Sequence, residues 1–346
     1  MSELREVTVS ETGESAVAAG EAEVVRVGDE VVRAEPALSV IVTAYGVAPY
    51  IAETLDSVFA QTLPGFEVIL VNDGSPDTSE LERALAPYMP RLVYIAQENR
   101  GAGGARNTGL RAARAPLVAF LDGDDLWEPT YLEEQLKHVR ENNLDLAYTD
   151  ALLFGDSEQA GRTYMEIAPS DGPVNFLSLI RGECNVITSG VVASRAAVFD
   201  VGLFDESLRN AQDFDLWARL ARRGARLGYQ RRVLARYRCR EGSLTGDARH
   251  RLLRDLRITQ HVADTYDLTE AERAEVERML ARRAAAVELE RGKSLLAESK
   301  FAEAREALES ARRVTPGWKL TVALLMLKVA PRLFVKLAGP RLRAGA

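Results

Sequence analysis

The chain predicts an α/β fold with a doubly wound, mostly parallel sheet and an α-helical C-terminal extension, on three observations. Four apolar runs, residues 38–42, 66–71, 92–95 and 117–121, have the length and near-continuous hydrophobicity of strands covered on both faces. Segments with helical spacing separate them, and strand–helix alternation favours parallel pairing through right-handed crossovers. After about Ala248 the composition turns to Ala, Glu, Arg and Leu at helical spacing.

Composition is compatible with this class and excludes others. The 346 residues suffice for one large domain with an appendage or for two ordinary ones, and 47% apolar residues can furnish a sizeable core. A net charge of -7 argues against general nucleic-acid binding, which needs a basic surface to displace counterions. The two cysteines, Cys184 and Cys239, belong to no paired metal or redox spacing, which suits a reducing compartment. The three histidines form no HExxH-like pattern. A metal would therefore be held by oxygen, favouring Mg²⁺ or Mn²⁺ over Zn²⁺.

Residues 1–35, rich in Glu, Ala and Val, read as a disordered acidic extension without a signal-peptide pattern. The ordered α/β domain is expected over 36–247. Its first strand ends at Thr43-Ala-Tyr45, and Ile51, Leu55, Val58 and Phe59 mark the first helix. The second strand ends at Asn72-Asp-Gly-Ser75. A helix over 81–88, the third strand, a helix over 102–113 and the fourth strand follow. That fourth strand stops abruptly at three carboxylates, Asp122, Asp124 and Asp125.

Further on, a helix is expected over 129–142 and strands over 145–148 and 188–194. A helix over 214–223 carries Leu216, Trp217 and Leu220 on one face. Strands over 227–229 and 232–237 precede an irregular loop over 237–245. In the helical region, 248–346, Gly292, Leu295, Leu296, Phe301, Ala304, Leu308, Ala311 and Pro316 suit a tetratricopeptide-like hairpin, which must pack on a neighbour because one repeat cannot bury its own face. The apolar stretch 320–327 leads into a tail interrupted by Lys328, Pro331, Arg332 and Lys336, too broken to cross a bilayer. Segment 318–338 is left with three readings: contact with an anionic membrane surface, packing into the hairpin, or a dimer interface.

Parallel strands share a carboxyl end, and ligands of open α/β sheets bind there. The turns at Thr43, Asp73 and Asp122 should therefore meet on one sheet edge. The turn Asp122-Gly-Asp124 reads either as an oxygen-ligand site for a divalent ion or as a solvated acidic turn before a helix cap. The glycines at 101, 103 and 104 complete no GxGxxG after a strand, and GxxxxGK[ST] is absent, so neither a dinucleotide fingerprint nor a P-loop is present.

Five motifs occur in a telling order: Ser39-Val-Ile-Val-Thr-Ala-Tyr45, Val71-Asn-Asp-Gly-Ser75, Arg100-Gly-Ala-Gly-Gly-Ala-Arg-Asn107, Leu121-Asp-Gly-Asp-Asp125 and Gln212-Asp-Phe-Asp-Leu-Trp217. Over about residues 36–245 the chain resembles the family 2 glycosyltransferases, inverting enzymes of the GT-A (nucleotide-diphospho-sugar transferase) fold that use nucleotide sugars. The resemblance implies a nucleotide site formed by Thr43, Ala44, Tyr45, Asp73, Arg106, Asp122 and Gly123. It further implies a divalent metal, Mn²⁺ or Mg²⁺, at Asp124 with Asp122 as a second candidate ligand, and Asp213 as general base. Asp125 would either sit behind the metal ligands or cap the next helix, the second being favoured, the glycines of the third motif would admit a ligand close to the backbone, and Trp217 and Arg240 would face the acceptor or diphosphate.

Two departures stand out. Gln212 replaces the Glu usual before the base, and Arg240 replaces a His that often completes the metal site; a guanidinium cannot ligate a metal but can bind diphosphate. No QxxRW-like signature follows Asp213, which leans away from processive synthesis. The implied partners are a nucleoside diphosphate sugar, UDP-linked by preference, and a glycan or lipid-linked acceptor of cell-surface polysaccharide or glycolipid synthesis. The implied setting is cytoplasmic, at the inner membrane face if the tail docks there. The competing class is a non-catalytic nucleotide- or carbohydrate-binding module that keeps the fold.

Overall fold

The computed structural model describes residues 24–31, 35–208, 211–240 and 248–331. Within it the chain divides into two compact units, meeting in sequence at Cys239 and Arg240.

The first unit holds a nine-stranded sheet. Strands β1 (Val24–Val27), β2 (Leu38–Ala44), β3 (Phe66–Asp73), β4 (Leu92–Gln97), β5 (Leu117–Asp122), β6 (Leu126–Trp127), β7 (Leu146–Gly155), β8 (Val191–Ser194) and β9 (Leu227–Cys239) lie in the order β1-β4-β3-β2-β5-β8-β7-β9-β6. The block β4-β3-β2-β5 is parallel, built through helices α1 (Ile51–Phe59), α2 (Thr78–Leu85) and α3 (Gly101–Ala112). Beyond β5, β8 pairs antiparallel with both β5 and β7, β9 runs parallel to β7, and β6 closes antiparallel on β9. The sheet is thus mixed, and the expected dominance of parallel pairing holds only for its first half.

Helices α4 (Tyr131–Asn142), α5 (Phe176–Arg181), α6 (Arg195–Asp200) and α7 (Gln212–Arg222) complete the unit. The sheet separates two cores. Val40, Val42, Leu70 and Leu121 face Ile51, Leu55 and Leu132 on one side, while Ile41, Ile69, Val71 and Phe120 face Leu110, Phe204, Leu216 and Trp217 on the other. Successive strand residues point to opposite faces, so a run buried on both reads as continuous hydrophobicity. Close packing at Gly109 sets the approach of α3: an added Cβ there would lie 2.4 Å from Ile41 Cγ2.

Three sequence expectations need correction. The strand β1 lies inside the stretch expected to be disordered; its Val-Val-Arg-Val pairs antiparallel with β4 and covers what would be a bare sheet edge. Residues 1–23 of that stretch lie outside the described residues. The two strands expected over 227–237 are one, β9, with a register shift opposite Thr149 and Asp150. It continues to Cys239, into the expected loop, whose residues 241–247 lie outside the described residues.

The second unit consists of α8 (Ala248–Thr265), α9 (Glu270–Ala297), α10 (Phe301–Val314) and α11 (Trp318–Val329). Thr269 and Glu272 form a capping box at the start of α9. Between α9 and α10, Gly292 makes room for Leu308, whose Cδ2 would lie 2.7 Å from a Cβ at 292. Leu295, Leu296, Ala304, Ala307 and Leu308 form the hairpin core, and α11 adds Leu324 and Leu327 to it. That helix is the neighbour the hairpin needs. No helix among the described residues is long and apolar enough to cross a membrane.

Candidate active site

The carboxyl ends of β2, β3 and β5 lie side by side, with Thr43 opposite Asp122 and Val71 in the paired registers. The loop after β2 is tied to the turn after β3: Gly46 N donates to Ser75 Oγ (2.7 Å) and Ala48 N to Asp77 Oδ2 (3.0 Å). Asp73 is buried, and its Oδ1 accepts from Gln97 Nε2 (2.7 Å) and Arg100 N (2.9 Å). Gln97 is itself fixed by Thr108 Oγ1 at 2.6 Å. Tyr45, in the loop after β2, exposes 54% of its surface. Ala44 turns its methyl into the core, so only its backbone is left for a ligand.

Asp122 sits at the centre of the edge. Its Oδ1 accepts from Thr43 Oγ1 (3.0 Å) and Arg106 Nη2 (2.6 Å). Arg106 is 4% exposed and stacks over Phe204 at 5.6 Å, yet its Nε and Nη1 have no partner. Two unsatisfied nitrogens on a buried guanidinium that also pairs with Asp122 suit an anion or a carbonyl-rich ring. Gly123 packs on the end of β2: its N donates to Thr43 O (2.9 Å), and a Cβ would lie 2.8 Å from that oxygen.

Asp125 does not cap a helix, because β6 follows it and α4 starts only at Tyr131 with Thr130 as N-cap. It is buried, and accepts from Ser189 Oγ (2.5 Å) and Arg238 N (2.8 Å). Burial, then the charges of Asp124 and Asp122, push its carboxyl well above the usual carboxylate range. A cation at this turn would oppose that shift. Among the described residues no three ligating side chains surround one point. A hard ion held by one or two carboxylates plus substrate phosphate oxygens needs no such cage, and the all-oxygen donor set fits Mg²⁺ or Mn²⁺.

Arg238, which the motifs did not single out, braces this turn. Its Nε donates to Asp124 O (2.8 Å), its Nη2 pairs with Glu53 (2.5 Å), and its guanidinium lies over the rings of Tyr50 (4.6 Å) and Phe154 (4.3 Å). A sequence signal existed: Arg236 and Arg238 alternate on β9 and so share a sheet face.

Asp213, in the first turn of α7, reaches the same edge. Thr188 Oγ1 donates to Asp213 Oδ2 (3.0 Å), and the adjacent Ser189 accepts from Asp122 N (3.2 Å) while donating to Asp125. Trp127 Nε1 fixes the carbonyl of Ser189 at 2.7 Å. Two neighbouring residues of one 3₁₀ turn therefore connect Asp213 with the acidic turn. Ala211, just before α7, has a left-handed φ of 66°, a conformation of order 1 kcal/mol above the right-handed one for a residue with a Cβ.

The third motif acts mainly within the protein. Arg100 pairs with Glu206 (2.6 Å), and Asn107 exchanges hydrogen bonds with Phe204 and also reaches Glu206 (2.8 Å). A Cβ at Gly103 would meet Gln212 Cγ at 3.2 Å, and one at Gly104 would meet Arg100 Cβ at 2.5 Å. These two glycines admit protein rather than ligand, and the motif docks α3 against the approach to α7. Gln212 is 8% exposed, with an unpartnered Oε1.

Trp217 is 1% exposed between Phe120 and Phe204, ring centroids 6.2 and 6.0 Å away, so it is a core residue and not an acceptor contact. Arg240 is half-buried at the start of the second unit, and the rest of its loop lies outside the described residues.

Residues 39–200 match the family model described as glycosyl transferase family 2. An uncharacterized glycosyltransferase of Rickettsia felis is 32% identical over 197 residues, covering 54% of this chain and 32% of its own length. The putative glycosyltransferase EpsH of Bacillus subtilis is 43% identical over 103 residues, 30% of each chain. The match thus spans about a third of the length of each of these two relatives. In structure, S. aureus TarS 1–349 in complex with UDP-GlcNAc superposes with a TM-score of 0.56 at 19% identity, over 89% of this chain and 92% of that one. The mannosyltransferase PcManGT of Pyrobaculum calidifontis, in complex with GDP-Man and Mn²⁺, gives a TM-score of 0.56 at 19% identity, over 91% and 87%.

Proposed function

We propose, from the premise that residues 39–200 are a glycosyl transferase family 2 domain on a GT-A fold, that the chain moves one sugar from a nucleoside diphosphate donor to an acceptor hydroxyl with inversion. The observation that carries the proposal is the hydrogen-bonded path from Asp213 through Thr188 and Ser189 to Asp122 and Asp125. It supports a bound sugar lying between a carboxylate base and a nucleotide-holding edge.

Tyr45 packs on the base and Asp73 accepts its imide N–H, for which uracil is the best match. The oxygen of Asp122 not bonded to Thr43 and Arg106 takes a ribose hydroxyl. Arg106 offers its two unpartnered donors to the base or diphosphate. Asp124, with Asp122 as a second ligand, would hold Mn²⁺ or Mg²⁺, and a bound ion there neutralises charge developing on the departing diphosphate. Asp213 removes the proton of the acceptor hydroxyl; its oxygen attacks the anomeric carbon on the face opposite the nucleotide, and the bond to phosphate breaks with its electron pair leaving on the diphosphate. A glycan or lipid-linked acceptor in cell-surface polysaccharide or glycolipid synthesis suits a single, non-processive transfer.

Calorimetry with UDP and Mn²⁺, followed by donor-hydrolysis and transfer assays, tests this reading. Binding accompanied by hydrolysis or transfer is expected. Binding with neither, across a panel of donors and acceptors, would instead support the non-catalytic module.

A further inference from the structure

We infer that the outward face of α11 docks on an anionic lipid surface. The helix is apolar on two opposed sides. Leu324 and Leu327 pack into the hairpin core, whereas Trp318, Val322, Leu325 and Val329 point outward at 74, 46, 62 and 77% exposure. At about 100° per residue these four fall within roughly 60° of the helix circumference. Lys319 and Lys328, both exposed, flank the stripe on its two sides.

Charge selects the occupant. From Trp318 onward the sequence contains Lys319, Lys328, Arg332, Lys336, Arg341 and Arg343 and no Asp or Glu, although the whole chain carries a net charge of -7. A stripe of this kind on an otherwise acidic protein matches a surface that is apolar beneath and negative at its head groups. Tryptophan belongs at such a boundary, since its ring is apolar and its N–H polar, and lysine stems lie along the apolar layer while their ammonium groups reach the phosphates. A second copy of this chain would present the same cations to themselves across the axis, which disfavours self-association through the face.

The test is built into the sequence. Of the three tryptophans, Trp127 and Trp217 are 3 and 1% exposed, so Trp318 alone is an exposed reporter. The full chain is titrated with vesicles of phosphatidylcholine alone and of phosphatidylcholine mixed with phosphatidylglycerol, with flotation and tryptophan emission recorded. Flotation and a blue shift with the anionic vesicles only, both weakened by salt, are expected. W318F should lose the shift and keep most of the flotation. K319Q/K328Q leaves the packed face untouched and should bind roughly 25-fold more weakly, at about fivefold per lysine. L325E/V329E should not float, with its helical circular dichroism unchanged. The inference is overturned if anionic vesicles bind neither better than neutral ones nor shift the emission, or if K319Q/K328Q and L325E/V329E float like the parent. A concentration-dependent dimer that L325E/V329E dissolves, without vesicle binding, would assign the face to self-association. Either result leaves the transferase reading standing.

Discussion

The two halves of the sheet reach the same edge by different means. In the parallel half, β2 to β5, the candidate residues Thr43, Asp73 and Asp122 each sit near the end of a strand, and strand order brings those ends side by side, with Arg106 added from α3. In the mixed half nothing comparable operates. Asp213 lies in the first turn of a helix and Thr188 and Ser189 in a 3₁₀ turn, tied to Asp122 and Asp125 by side-chain hydrogen bonds, while antiparallel pairing of β6 with β9 brings Arg238 to the acidic turn. On the proposed function, the parallel half would hold the nucleotide with little adjustment. The mixed half is held by individual contacts, each of which a single substitution can remove.

The sharpest way to separate the halves is a pair of carboxamide substitutions. If Asp213 is the base proposed above, Asp213→Asn should lower kcat by about 10²–10⁴-fold while leaving UDP affinity within about twofold, because a general base acts on the acceptor proton and not on the nucleotide. Asp124→Asn should instead weaken UDP binding in the presence of Mn²⁺ and leave metal-free binding nearly unchanged. Isothermal calorimetry with and without Mn²⁺, beside steady-state kinetics, reads both. If Asp213→Asn lost nucleotide binding and kept turnover, the division between halves would be wrong.

The same division explains what the sequence disclosed. The first four strands and their helices were legible because burial on both faces leaves apolar runs that few other structures produce, and because strand ends announce themselves with Asp, Gly and Ser. Antiparallel insertion of β8 beside β5 leaves no such mark, since a four-residue apolar strand looks alike in either direction. Within the site, the link of Asp213 to Thr188, and so to the turn that holds Asp122 and Asp125, had no sequence signal, because Thr188 lies in no motif. Trp217 misled because an aromatic beside a motif reads equally as a ligand platform or as core, and burial at 1% decides for core. Asp125 misled because Asp before a helix is a common cap, and the two-residue β6 that intervenes is too short to show a period.

Arg238→Met tests whether the two halves depend on one another. The side chain joins β9 to the carbonyl of Asp124 and to Glu53, so its removal loosens the acidic turn without deleting a carboxylate. Groups that orient metal ligands typically contribute tenfold to a hundredfold in affinity. Mn²⁺-dependent UDP affinity should fall by about that factor, and Arg238→Lys should recover little, because one ammonium cannot reach both partners and stack on Tyr50 and Phe154. A variant with unaltered Mn²⁺ dependence would make Arg238 a packing residue only.

The smallest effect should come from Thr188→Val, which keeps the buried shape and removes the hydroxyl that donates to Asp213 Oδ2. Hydrogen bonds to charged groups contribute about 1.5–3 kcal/mol, but a carboxylate facing an open edge recovers part of that from water. The expected loss is about tenfold in kcat, with UDP affinity and its Mn²⁺ dependence unchanged, since Ser189 rather than Thr188 carries the link to Asp122 and Asp125. Ser189→Ala provides the contrast: it leaves the Asp213 bond in place and removes the donor to buried Asp125, so its effect should appear in metal-dependent binding before it appears in kcat. Measuring both variants by the same two assays asks whether one 3₁₀ turn really serves the two halves through separate residues. Equal changes in both assays for both variants would mean that the turn moves as a rigid piece and the halves are not separable there.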